Sequence, residues 1–533
     1  MKPTAGSNAN HFFLSKTYIS LKTLTRRLID YLESPTIPLI NCIITFCGCL
    51  IIRNFLEFYS QKTVQLMSTY PAVMASSLGH LDASFAYITM IIIILLHYTT
   101  KTPVVNVMKV VLPCCVALFL APIIDFTVSL GEGYNMAYYN PSENVNLLLA
   151  YLTYCGQNAG ATIGIRIEVA LILFGIFLYA QNKTHHFLKG LGVAWAAYTL
   201  IFFWAATPFI LKQIIELSGF DYQYSEPPLT RYFLVVNFFL GGIIAYALNK
   251  EAFKAIIKEI PKLKVLHYEL MLLLGICLGF KVTHYPISFQ LTNDPYIIAN
   301  GILLSIAVFL ALLFSMFINN LADIEPDKIS NTHRALVRGI VDQATYSKIA
   351  YTFMVLTFIY ALPVGPHAVF MIALVMSIYY IYSASPLRFK RIPILSKLAI
   401  SGNSLALMLL GFWLVALNID GFPAVLYFIV LIGFTLSANF IDLKDIKGDG
   451  SAGIKTLPVI WGIKKAQWFC GIAFLGTYLS IYTILHTKVF LLLLAVTGLL
   501  QCYLLTRKPY RELPILLVHN ASVTTLIIYL LYQ

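Results

Sequence analysis

Apolar runs of bilayer-crossing length recur along the whole chain. Nine lie in its second half, at roughly 267–283, 296–318, 345–362, 366–384, 398–417, 422–441, 467–485, 489–506 and 513–531. About six precede them, near 36–55, 83–99, 104–130, 164–181, 190–211 and 229–248. Roughly 20 apolar residues span the hydrocarbon core, where each backbone polar group must be paired inside its own segment. The expected fold is therefore all-α, a polytopic transmembrane helical bundle. Only 11% of the 533 residues are charged, against about a quarter in soluble domains. The first 35 residues hold Lys2, Lys16, Lys22, Arg26 and Arg27 but no short apolar core followed by a cleavage site. The run at 36–55 is thus expected to stay as an anchor.

The net charge of +13 raises nucleic acid as a partner, but the bases are spread over loops instead of forming a patch. They follow the second, fourth, sixth and eighth runs of the second half, whereas the intervening connections hold isolated lysines such as Lys281 and Lys488. The positive-inside bias places the basic loops in the cytoplasm, in a cell (inner) membrane, with the N-terminus on the same side. Lys101, Lys109, Lys183 and Lys189 mark inner turns of the first half, and Gly131–Gly164, without Lys or Arg, an outer segment with a short interfacial or re-entrant piece at Asn144–Cys155. Five lysines between Asn249 and Lys264 read as a basic surface helix dividing a membrane domain, 1–265, from a nine-helix domain, 266–533.

Two acidic rows carry the chemistry. Asn319, Asp323 and Asp327 stand four apart where the run at 296–318 meets water, and Asp442, Asp445 and Asp449 follow the run at 422–441. Spacings of three and four place oxygen ligands on one helix face, a donor set that suits Mg²⁺ shared with phosphate. The plain alternative for a single row is a helix end carrying solvated charge; the repeat weighs against it. Between the rows lies Y-S-A-S-P-L-R-F-K-R, Tyr382–Arg391. With G-I-K-T-L-P-V at Gly453–Val459 and N-T-H-R-A-L-V-R-G at Asn331–Gly339, the pattern resembles the UbiA-type intramembrane prenyltransferases. The resemblance implies that Asn319, Asp323 and Asp327, and later Asp445 and Asp449, hold two Mg²⁺ ions that grip an isoprenoid diphosphate, inside a nine-helix bundle. Many members have Asp directly after the first Asn, where this chain has Asn320. Residues 1–265 fall outside the resemblance.

Cleaving an allylic diphosphate leaves an anion and a carbocation. Metal turns the acidic rows into a clamp for the anion, with Asp323 and Asp445 central. Arg388 and Lys390, then Arg334 and Lys455, are the candidate bases that complete the neutralisation. Each could equally be a topology-setting loop charge. Tyr379, Tyr380 and Tyr382 are candidates for holding the cation through their rings, or are interfacial anchors. Pro326 is expected to kink or stop the helix before Asp327. The expected activity is Mg²⁺-dependent transfer of an isoprenoid from its diphosphate to a small-molecule acceptor, aromatic or lipid-type, among membrane lipid. Rivals are a terpene cyclase on the same scaffold and a non-catalytic polyprenyl-lipid carrier. Asp82, Asp125 and Glu168 read as structural, His185-His186 as a turn, and the nine cysteines as buried side chains without disulfides or zinc.

Overall fold

The computed structural model describes residues 23–60, 71–134, 136–139, 145–156, 160–217, 226–284, 296–444, 446–451, 455–485 and 487–532. These are helical with no strand among them, as expected of backbone that must satisfy its own hydrogen bonds in lipid. Fourteen stretches are long and apolar enough to cross a membrane, and the chain is an integral multi-pass membrane protein. Two compact units divide at Lys250.

The first unit holds α1 (Leu39–Ser60), α2 (Pro71–Thr100), α3 (Val104–Val128), α4 (Ile163–Thr184), α5 (Phe187–Ala205) and α6 (Glu226–Leu248). α3 contains Pro113 and tightens into a 3₁₀ turn over Cys115–Phe119. The Ala121 amide beyond that turn donates to Glu168 at 2.9 Å. Asp125 caps the start of α4, accepting from Thr162 Oγ1 at 2.5 Å and the Gly164 amide at 2.8 Å. Asp82 accepts from Asn54 at 2.7 Å. The three carboxylates within apolar runs are therefore each bonded to the unit's own groups. A short helix, Leu147–Leu152, is capped by Asn146, and the turn between α4 and α5 is made by His185, left-handed, and His186, extended. All nine cysteines are unpaired.

The second unit opens with the amphipathic helix that ends at Glu259 and continues through α7 (Lys262–Thr283), α8 (Tyr296–Ala322), α9 (Gln343–Ala361), α10 (Pro366–Ser383), α11 (Pro393–Ala416), α12 (Ala424–Leu443), α13 (Ile463–Leu485), α14 (Lys488–Thr506) and α15 (Glu512–Tyr532). α8 and α11 are largely buried, whereas α9, α10, α14 and α15 keep most of their surface outside. α7 and α11 approach backbone to backbone. A Cβ on Gly275 would collide with the Met408 carbonyl and one on Gly411 with the Leu272 carbonyl. Small residues allow such closeness where lipid supplies no hydrophobic drive between helices. α12 is irregular, with a π segment at Ile429–Phe434 and a 3₁₀ end at Ala438–Leu443. Irregular turns of this kind redirect side chains and recur at functional sites.

Candidate active site

α8 stops at Ala322, and Asp323 is a non-helical hinge (φ −112°, ψ 18°) before a second short helix, Ile324–Ser330. The break falls at Asp323 itself, earlier than the proline suggests. Pro326 instead sits in the first turn of the second helix, where its missing N–H costs nothing. The hinge separates the row. Asn319 and Asp323 face the α10–α11 loop, while Asp327 is buried against Arg334 and accepts from Asn331 at 2.8 Å. Burial pushes the Asp327 carboxyl above the usual carboxylate range, with Asn331 and Arg334 opposing it.

The α10–α11 loop brings two cations to Asp323. Arg388 holds one carboxylate oxygen and Lys390 the other. Arg388 has a left-handed backbone (φ 45°, ψ 58°), a conformation uncommon for a side-chain-bearing residue. The guanidinium is fixed there by Asp323 and by the Ala322 carbonyl at 3.1 Å. Its Nε is buried without a hydrogen-bond partner among the described residues. Lys390 Nζ also donates to Asn319 Oδ1 at 3.2 Å, so one ammonium stands between the Asn319 and Asp323 oxygens. Burial lowers the Lys390 pKa below the ordinary lysine value, and Asp323 opposes that shift.

Beside this cluster a cavity of about 350 Å³ opens among α7, α8, α10, α12 and α15. Asn319 and Arg334 line its polar end, and Tyr379, Tyr382 and Phe434 its aromatic wall. Tyr379 and Tyr382, three apart, share one helix face. Tyr380 is turned away and is 45% exposed, so it does not join the tyrosines of the wall. Sequence reasoning missed two histidines of this wall. His267 Nε2 lies 3.0 Å from Ser404 Oγ, His519 Nε2 lies 3.2 Å from His267 Nδ1, and His519 Nδ1 lies 3.2 Å from Tyr478 OH. The available signal was an ionisable side chain inside an apolar run.

Asn320 turns the other way, donating to Tyr346 OH at 2.8 Å and to Glu259 at 3.4 Å. An Asp there would face the Glu259 carboxylate, which accounts physically for the amide. Glu259 also accepts the Ala335 amide, docking the loop that carries Arg334. Gly339 closes that loop at φ 69°, a backbone angle that favours glycine.

Asp442 is elsewhere committed: Lys397 Nζ reaches its Oδ1 at 2.5 Å, and both side chains are buried. Its Oδ2 has no hydrogen-bond partner among the described residues. Asp445 lies outside the described residues, as does the Asp449 side chain, although Asp449 falls in the helix Ile446–Ser451. Lys455 is exposed and makes no ion pair among the described residues. No group of three or more His, Cys, Asp or Glu placed to hold a metal occurs among the described residues. The donors that remain, Asn319 and Asp323, fit a hard cation in one respect: their oxygens already converge on the Lys390 ammonium.

Residues 285–514 match the family model for the UbiA prenyltransferase family. A naringenin 8-dimethylallyltransferase from Sophora flavescens is 29% identical over 176 residues, 31% of this chain and 43% of that protein. A digeranylgeranylglyceryl phosphate synthase from Thermococcus sibiricus is 25% identical over 179 residues, 32% and 59% respectively. The chain thus spans about half the length of these curated relatives. A solved UbiA homolog from Archaeoglobus fulgidus, bound to DMAPP and Mg²⁺, is 19% identical with a TM-score of 0.40, covering 51% of this chain and 97% of its own. No family model matches the N-terminal half. Over residues 285–514, the second half of this chain is similar to the UbiA prenyltransferase family.

Proposed function

We propose that the second unit transfers an isoprenoid chain from its diphosphate to a small-molecule acceptor within the membrane, in a Mg²⁺-dependent reaction. The observation that carries this reading is the convergence of Arg388, Lys390 and Asn319 on Asp323 beside an aromatic-walled cavity. Arg388 and Lys390 bind and orient the anionic head. Asn319 and Asp323 are the ligands proposed for one Mg²⁺. Asp445 and Asp449 are proposed for a second, while Asp327 and Asp442 stay paired with Arg334 and Lys397. Bound magnesium supplies the charge stabilisation that a departing diphosphate needs. Tyr379 and Tyr382 present their faces to the allylic end, and the apolar wall excludes water that would quench a cation. Arg334 and Lys455 are the remaining bases proposed for the diphosphate. By the positive-inside bias the site faces the cytoplasm of a cell membrane.

Supplying radiolabelled prenyl diphosphate to membranes containing the protein tests this. A prenylated lipid-phase product is expected with Mg²⁺ and none with EDTA. A cyclic hydrocarbon formed without acceptor would identify a cyclase, and an intact diphosphate would leave only a carrier.

Lys390 adds a pH signature. Its pKa lies below that of ordinary lysine, so raising the pH discharges it earlier than an unperturbed lysine. Activity should fall on the alkaline side, below pH 10.5, the ordinary lysine value. In Lys390→Arg the alkaline limb should move to higher pH with the acid limb unchanged, because arginine does not deprotonate in proteins. An unmoved alkaline limb would remove Lys390 from substrate binding.

A further inference from the structure

Glu259 closes the helix Lys250–Glu259 at the end where the helix dipole disfavours an acid. Its carboxylate is explained by what it holds. It accepts the Ala335 amide, the Tyr346 hydroxyl and, at 3.4 Å, the Asn320 side-chain amide. One side chain thereby joins the helix that opens the second unit to α8, to α9 and to the Asn331–Gly339 loop. Tyr346 is fixed in turn: it is fully buried, stacks on Phe317 with ring centroids 4.0 Å apart and accepts from Asn320 at 2.8 Å. Ala335 is the buried anchor of the loop, and its carbonyl accepts the Ile340 amide at 2.9 Å. The residue just before it is Arg334, which lines the cavity and faces the Glu259 charge. Asp327 engages Arg334 Nη1; a guanidinium carries five N–H donors, so others remain for an anion in the cavity.

From these contacts we infer that Glu259 is a positioning residue for diphosphate binding: by pinning Ala335 it presents the Arg334 guanidinium to the cavity. The inference rests on the reading of this cavity as a diphosphate site. It adds that the site is incomplete without a side chain from a helix that precedes the matched residues 285–514. The same contact dictates where the negative charge sits. The Asn320 and Glu259 side chains meet at 3.4 Å, and two carboxylates at that separation repel. An acid is therefore tolerated at 259 or at 320, but not at both. In Glu259→Gln/Asn320→Asp the charge changes ends and the bonds survive: the glutamine oxygen takes the Ala335 N–H, and its amide donates to the carboxylate at 320.

The test uses the full chain and three readouts: calorimetric titration with inorganic diphosphate in EDTA, turnover of radiolabelled prenyl diphosphate in Mg²⁺, and limited trypsin cleavage after Arg334. Glu259→Ala should weaken diphosphate binding about tenfold, the scale of one lost charge-assisted contact. KM should rise to match with kcat unchanged, the signature of lost ground-state binding. Cleavage after Arg334 should accelerate as Ala335 is released. Added to Arg334→Ala, the same change should cost no further affinity, because Glu259 acts through that base. Asn320→Asp should weaken binding in the same direction, and Glu259→Gln/Asn320→Asp should restore it; this pair serves where Glu259→Ala does not accumulate. Glu251→Ala, exposed on the same helix, should change nothing. A Glu259→Ala chain whose loop is cut faster, but whose diphosphate affinity and KM stand unmoved, would overturn the inference and leave the reading of the site intact. A further loss on top of Arg334→Ala, or a double variant that stays weak, would do the same. An unaltered chain that neither binds nor consumes diphosphate would overturn the reading of the site, and this inference with it.

Discussion

Asp323→Ala is expected to lower Mg²⁺-dependent consumption of a prenyl diphosphate by ~10³-fold or more, while metal-free binding of inorganic diphosphate persists or tightens. The two effects separate because of what Asp323 touches. Arg388 and Lys390 each hold one of its oxygens, so the carboxylate masks two cations. Removing it leaves both bases free to meet an anion, but takes away the charged donor that would place metal against the leaving group. Calorimetric titration with diphosphate in EDTA, beside turnover in Mg²⁺, reads the two arms. If Asp323 only braced the α10–α11 loop, its loss would release Arg388 from the left-handed backbone it now adopts, and both readouts would fall together. Undiminished turnover would remove Asp323 from the chemistry.

The parts of this site that were legible in the sequence share a cause. Membrane length fixes where a helix must end, so the apolar runs located the helices, and the polar residues at their ends marked the mouth of the bundle. Asn319 and Asp323 were readable because one helical turn separates them. Arg388 and Lys390 were readable only as bases near a motif; no local spacing says that a 65-residue separation closes on one carboxylate. Asp327 shows where helical spacing stops applying. The backbone leaves the helix at Asp323, and its carboxylate turns to Arg334 instead. Asn320, noted as a departure from the usual acid, became intelligible only beside Glu259, which is 61 positions earlier. The histidines illustrate the same limit, since His267 and His519 meet across 252 positions. In the first unit Asp82, Asp125 and Glu168 were read as structural because no paired motif accompanies them, and each is bonded within the unit.

Lys397→Met is expected to destabilise the second unit by ~3–5 kcal/mol, the scale for stripping one partner from a buried ion pair. The pair joins α11 to α12 at 2.5 Å, with side chains 4% and 12% exposed. Without the ammonium, the Asp442 carboxylate remains in an apolar enclosure with no cation to offset its desolvation. The double variant Lys397→Met/Asp442→Leu should recover most of the loss, because an ion pair exchanged for apolar side chains of similar volume is often neutral or better. Thermal unfolding of the detergent-solubilised chain measures both. The double variant also separates the two roles open to Asp442. Its Oδ2 lacks a partner, which is the condition of a carboxylate able to take a further cation, yet the neighbouring ammonium repels a divalent ion from the same spot. The repulsion acts at full strength in this enclosed position, so the expected result is a stable double variant that keeps magnesium-dependent turnover and the same rise in thermal midpoint on adding Mg²⁺. A stable protein that no longer responds to the metal would instead place Asp442 among its ligands, with Lys397 holding the oxygen shell together until the ion arrives.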